Sequence, residues 1–161
     1  MIRVVLVDDQ AVVRMGFRVL LADHIDVVGE AAGGREALAV VAREQPDVVC
    51  MDLRMPSGDG ITATREIVAR READGTDHRP AVLVVTTFDL DDDVFGALEA
   101  GADGFVLKDI EPEELVDAVR RLAAGYGLVD QTVTRRVLSE FARRRAPRTD
   151  TMATALLTPR E

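Results

Sequence analysis

Val48-Val49-Cys50-Met51 runs straight into Asp52, and three other apolar runs of this chain stop in the same manner. Val4-Val5-Leu6-Val7 ends on Asp8 and Asp9, Ala81-Val82-Leu83-Val84-Val85 on Thr86, and Phe105-Val106-Leu107 on Lys108. Short, continuously apolar runs rich in valine and leucine, separated by segments of helical period, are strands of a parallel sheet covered on both faces. With a further strand around Val27–Ala31, five strands alternate with five helices, which predicts an α/β fold built on one doubly wound parallel sheet. Such sheets gather their ligands beyond the carboxyl ends of the strands. Three carboxylates, one hydroxyl and one ammonium, far apart in the sequence, are thereby brought to one edge.

The segments between the runs have helical spacing. A first helix is expected from about Asp9 to Ala22, with Asp9 as N-cap and Val13, Phe17, Leu20 and Leu21 facing the core. A second covers about Gly34–Glu44 and is ended by Pro46. After Asp52, the Pro and Gly residues of 53–60 permit a sharp exit into a third helix carrying Ile61, Ile67 and Val68. The polar stretch 71–80 reads as a surface loop, and a fourth helix near Asp92–Ala100 ends at Gly101, a left-handed cap. Glu111-Pro112-Glu113-Glu114 opens a fifth, with Leu115, Val116, Val119 and Leu122 as its apolar stripe. The main domain is thus expected over residues 1–125. Residues 126–155 read as a linker with one helix, from about Asp130 to Arg144. In residues 156–161, Thr158, Pro159 and Glu161 form a capping box that announces a helix just where the chain stops. The expectation is a longer protein whose next domain begins there.

Bulk properties exclude several classes. The 161 residues are 47% hydrophobic and 30% charged, and no apolar run approaches the roughly 20 residues that cross a bilayer. The start, Met1-Ile2-Arg3-Val4, is a strand and not a signal peptide, so a cytoplasmic protein with no membrane contact is expected. Cys50 lies inside a strand and reads as a buried reduced thiol; His24 and His78 sit in unrelated segments, which argues against a histidine-rich metal site. A net charge of −9 argues against these residues gripping nucleic acid by themselves. The basic cluster Arg135, Arg136, Arg143, Arg144, Arg145 and Arg148 reads as a solvated helix face and linker.

Three converging carboxylates repel one another unless a cation joins them. A hard, oxygen-seeking divalent ion answers this, and Mg²⁺ suits because it keeps waters and accepts a phosphate oxygen. A carboxylate is also a nucleophile toward phosphorus, and phosphoryl transfer is mostly positioning and charge neutralisation. Asp52, alone at the end of a central strand, is the nucleophile candidate; the adjacent Asp8 and Asp9 suit the metal, Lys108 a phosphoryl clamp and Thr86 a hydroxyl donor. Taken singly, these are equally helix caps, a turn residue and a solvated charge. Their joint placement favours the site. Thr87, Phe88 and Cys50 are left as structural.

The pattern resembles the receiver domains of two-component response regulators. The stretches that carry the likeness are Leu6-Val7-Asp8-Asp9, Met51-Asp52-Leu53-Arg54-Met55-Pro56 with Asp59-Gly60, Val84-Val85-Thr86-Thr87-Phe88, and residues 100–109, Ala-Gly-Ala-Asp-Gly-Phe-Val-Leu-Lys-Asp. The tail Leu157-Thr158-Pro159-Arg160-Glu161 resembles the opening of a LuxR-type helix-turn-helix, which points to the NarL subfamily of transcriptional regulators. The resemblance implies a flavodoxin-like sheet of order 2-1-3-4-5. It implies that Asp52 accepts a phosphoryl group from a sensor histidine kinase, with Mg²⁺ held by Asp8, Asp9, Asp52 and the backbone carbonyl of Arg54. Lys108 and Thr86 then bind phosphoryl oxygens, and an inward turn of the Phe105 ring reshapes the surface around the fourth helix, fifth strand and fifth helix. It further implies dimerisation on phosphorylation through the first or fifth helix or the face around the fourth, and DNA binding through the absent domain. Arg54 and Phe88, at the mouth of the site, are candidates for tuning phosphoryl lifetime. A cis peptide after Lys108 is also implied, although Asp109 stands where many receivers have proline and the cis form then costs about 3 kcal/mol.

Two other readings stay open. One is an aspartyl-nucleophile phosphatase of the haloacid dehalogenase type; against it, Gln10 and Ala11 follow Asp9 where that group needs a second aspartate two residues on, and the chain has no room for a substrate-capping insertion. The other is a stand-alone receiver acting through protein contacts.

Overall fold

A computed structural model describes residues 1–56, 60–73, 75, 77–87, 91–129 and 139. Strands β1 (Arg3–Val7), β2 (Asp26–Ala31), β3 (Val48–Met51), β4 (Ala81–Thr86) and β5 (Gly104–Leu107) alternate with helices α1 (Ala11–Leu21), α2 (Gly34–Glu44), α3 (Gly60–Arg71), α4 (Asp91–Glu99) and α5 (Pro112–Ala123). The sheet is all parallel in the order β2-β1-β3-β4-β5, and a two-residue strand, β6 (Leu128–Val129), adds to the β5 edge. β6 lies past residue 125, where the sequence reading ends the domain; two residues carry no period by which to be recognised.

The apolar runs are buried because both sheet faces are covered. Successive side chains point to opposite faces. Val5, Val7, Val49, Met51, Val82, Val84 and Phe105 thus pack with Ala37, Val40 and Val41 of α2, Ala63 and Ile67 of α3 and Ala97 of α4. Their alternates Val4, Leu6, Val48, Cys50, Leu83, Val85 and Val106 pack with Leu21 of α1 and with Leu115, Val116, Val119 and Leu122 of α5. Each of those large α5 side chains contributes on the order of 2 kcal/mol by leaving water. At the end of α4, Gly101 takes φ +100, and a Cβ there would stand 2.9 Å from the Val68 side chain.

Four expectations need correction. The N-cap of α1 is Gln10, not Asp9, and no side chain caps it; Asp8 Oδ1 accepts the Gln10 amide instead (2.9 Å). Leu20 is exposed, because Leu21 takes the buried position beside it. Arg71, assigned to a polar surface loop, ends α3 with its side chain only 14% exposed. The Lys108–Asp109 peptide is trans, as are all peptides among the described residues; without proline the cis form has no compensating loss of trans preference. Phe88, the helix expected from Asp130 to Arg144, the linker after it and the capping box at Thr158–Glu161 lie outside the described residues.

Candidate functional site

The strand ladder continues one residue past β1, β3 and β5, to Asp8, Asp52 and Lys108, while Thr86 is itself the last residue of β4. The Asp8 amide donates to Ala31 of β2 (3.0 Å), the Asp52 amide to Val7 of β1 (2.9 Å), and the Lys108 amide to Thr86 of β4 (2.8 Å). Main-chain bonds therefore set the side chains of Asp8, Asp52, Thr86 and Lys108 along a single edge. Gly60 completes the frame from the other side. A Cβ at Gly60 would collide with the Asp52 carbonyl oxygen, so only glycine lets α3 begin against the Asp52 backbone.

Asp8, Asp9 and Asp52 each offer a carboxylate oxygen, all within 4.8 Å of one another. Asp8 and Asp52 are buried, each 3% exposed, while Asp9 faces solvent. Lys108 Nζ stands 3.0 Å from Asp8 Oδ2 and 3.5 Å from Asp52 Oδ1. The first contact is an ion pair without the directional geometry of a hydrogen bond, so Asp8 Oδ2 still has unused acceptor capacity. The Arg54 amide reaches Asp52 Oδ1 at 3.4 Å. Burial, then the neighbouring Asp8 charge, push the Asp52 carboxyl above the usual aspartate range, and Lys108 and the Arg54 amide offset only part of this. For Lys108, burial acts to lower the pKa, but Asp8 and Asp52 outweigh it and raise the ammonium above its ordinary value. Among the described residues, three carboxylates face the one ammonium of Lys108, which by itself does not balance them.

Above the cluster opens a cleft of about 430 Å³ lined by Asp9, Gln10, Asp52, Arg54, Met55, Pro56, Thr87 and Lys108. Thr87, read from sequence as structural, is exposed on this cleft; its only signal was its place one residue beyond a strand end. Thr86 is 1% exposed, and among the described residues its Oγ1 has no hydrogen-bond partner. It shares a sheet face with Val84, whose register partner is Phe105, and the Phe105 ring is fully buried. Cys50 lies beneath the site; burial pushes its thiol up to about 12, which removes it as a nucleophile at neutral pH.

The oxygen-only donor set, the unused acceptor capacity of Asp8 Oδ2 and the solvent access at Asp9 fit a hard divalent cation. A doubly wound sheet with an acidic cluster and one lysine at its carboxyl edge defines a class of acidic-pocket α/β domain. Residues 4–120 match the response regulator receiver domain, and the chain belongs to that family, whose members are signalling switches. It is 39% identical to the transcriptional regulatory protein LiaR of Bacillus subtilis over 88% of this chain and 65% of that protein. It is 40% identical to the DNA-binding transcriptional activator DevR/DosR of Mycobacterium tuberculosis over 88% of this chain and 63% of that protein. A LuxR-family response regulator from Aurantimonas sp. SI85-9A1 superposes with a TM-score of 0.77 at 34% identity, covering 88% of this chain and 99% of that one. The chain thus spans less than two thirds of the length of these two curated relatives.

Proposed function

We propose that this receiver is the phosphorylation-controlled switch of a cytoplasmic two-component transcription regulator, with Asp52 as phosphoacceptor. The observation that carries the reading is the convergence of buried Asp52 and Asp8 with half-buried Lys108 at one open edge, where Thr86 ends β4 with its hydroxyl unpartnered among the described residues. A carboxylate oxygen of Asp52 attacks the phosphorus of a kinase phosphohistidine; the P–N bond breaks and its electron pair stays with the imidazole. Asp8, Asp9, Asp52 and the backbone carbonyl of Arg54 would hold Mg²⁺, which when bound would supply positive charge against the carboxylates and the phosphoryl oxygens. Lys108 moves its ion pair onto one phosphoryl oxygen, and Thr86 donates its hydroxyl to another. Phe105, on the same face as Thr86 and in one core cluster with Ala97 of α4, carries that displacement toward α4. Arg54, on the cleft, governs water access to the acyl phosphate together with Phe88.

The output is dimerisation, which pairs DNA-binding parts outside these residues on two half-sites. LiaR and DevR/DosR, both longer than this chain, support a transcriptional output. Among the surfaces the sequence left open, α1 has the support of Val12, Met15 and Val19, exposed by 79%, 65% and 71% along one side of the helix. Val19→Asp is expected to keep the phosphorylated protein monomeric in sedimentation; an unchanged dimer would move the interface elsewhere.

The reading is tested by intact mass after incubation with Mg²⁺ and acetyl phosphate. The parent is expected to gain one phosphoryl group, and Asp52→Ala none. Equal gain in the variant would remove Asp52 from its role.

A further inference from the structure

Arg14 stands one turn into α1, and its side chain, 17% exposed, turns back toward the sheet edge. Its guanidinium forks. Nη1 donates to the backbone carbonyl of Asp8 at 2.6 Å, and Nε donates to Glu30 Oε1 at 2.9 Å. Arg18, one turn later, donates from Nε and Nη2 to the other Glu30 oxygen at 3.0 and 2.7 Å. Burial acts to raise the Glu30 pKa, but the hydrogen bonds and charges of Arg18 and Arg14 outweigh it and hold the carboxyl below the usual glutamate range. Glu30 is therefore ionised at neutral pH and fixes the Arg14 fork from behind.

The carbonyl that Arg14 grips is the one between the two candidate metal carboxylates. The Asp8 carbonyl and the Asp9 amide share one rigid peptide plane. A charge-assisted bond to that oxygen fixes the plane from which Asp9 departs, while the Gln10 amide and Lys108 hold the Asp8 carboxylate. A purely structural tie between α1 and β2 does not need this bond, since Arg18 and Glu30 already supply one.

We infer that Arg14, braced by Glu30 and Arg18, is a positioning residue that presets the Asp8–Asp9 turn so that both carboxylates reach one divalent cation. The inference rests on the reading of the cluster as a Mg²⁺ site. It deepens that reading by placing part of the metal affinity on α1 and β2, outside the carboxylates. Partners that orient ligands in this way typically change metal affinity by about 10- to 100-fold when removed.

The test is a calorimetric Mg²⁺ titration of the unphosphorylated protein, with no phosphodonor present. Arg14→Ala is expected to weaken Mg²⁺ binding by about tenfold. Arg14→Lys, which keeps the positive charge but lacks the fork, is expected to recover part of the loss. Glu30→Gln, which releases the brace while leaving Arg14 in place, is expected to lose less than Arg14→Ala and covers the case in which that variant does not fold. Arg71→Ala, at the far end of the sheet, is the control for lost stability and is expected to bind Mg²⁺ as the parent does. If the parent binds Mg²⁺ and the Arg14 and Glu30 variants bind it equally well, the inference is overturned and the Mg²⁺ reading stands. Weakening by Arg71→Ala equal to that by Arg14→Ala would also overturn it, because general destabilisation would then explain both. A parent that does not bind Mg²⁺ removes the reading and the inference together.

Discussion

The two ends of the sheet bury charge in opposite ways. At the amino end, Arg71 leaves α3 and donates Nη1 and Nη2 to the two Asp103 oxygens at 2.5 and 3.0 Å, and Nη1 also donates to the Pro80 carbonyl at 3.0 Å. Asp103 Oδ2 in addition accepts the Val82 amide of β4 at 2.8 Å. The Asp103 contact raises the Arg71 pKa although burial works against it. Charge and hydrogen bonds are matched there, and the clamp closes the start of β4 and β5. At the carboxyl end, among the described residues, three carboxylates share one lysine, Asp52 is pushed upward by burial and by Asp8, and Thr86 Oγ1 has no hydrogen-bond partner. Matched charge holds a fold together; charge left short of its counter-ion is a place for a cation and a phosphoryl group.

The comparison predicts opposite responses to substitution. Arg71→Ala strands a partly buried carboxylate and is expected to cost about 3 kcal/mol in urea unfolding, while phosphoryl uptake at Asp52 persists in the folded fraction. A loss under about 0.5 kcal/mol would mean that the clamp is ornamental. At the other end, Asp52→Asn in Mg²⁺-free buffer is expected to raise stability by roughly 1 kcal/mol at neutral pH, because it removes a carboxylate whose ionisation the folded state opposes. The sign follows from linkage. With the folded pKa above the unfolded one, the native state holds the proton more tightly, so the parent loses stability as pH rises from the ordinary aspartate range through the raised value. The gain from Asp52→Asn is therefore full above that window and vanishes below it, where Asp52 is protonated in both states. A gain that does not change with pH would assign the effect to packing and not to charge.

The sheet and the placement of most candidate site residues were legible for one reason: a parallel strand buried on both faces is continuously apolar, and polarity returns at its last residue or the one after it. Asp8, Asp52, Thr86 and Lys108 are each such a residue. The pairings between distant charges were not legible. Arg71 and Asp103 lie 32 positions apart, and Arg14 and Glu30 lie 16 apart. No period links them, and only the fold brings them together. On α1 the obstacle was excess signal, for Val12, Met15 and Val19 form a second apolar stripe beside Val13, Phe17 and Leu21. Two stripes at helical spacing cannot be ranked without knowing which one meets the sheet.

The most direct test is urea unfolding of the parent and of Asp52→Asn at neutral pH, with and without Mg²⁺. Ligands that bind the native state stabilise it by mass action. Mg²⁺ is therefore expected to raise the stability of the parent more than that of Asp52→Asn, so that the variant, ahead in metal-free buffer, falls level or behind. A parent whose stability ignores Mg²⁺ while Asp52→Asn shows no gain in its absence would contradict the view that this edge of the sheet is held short of positive charge.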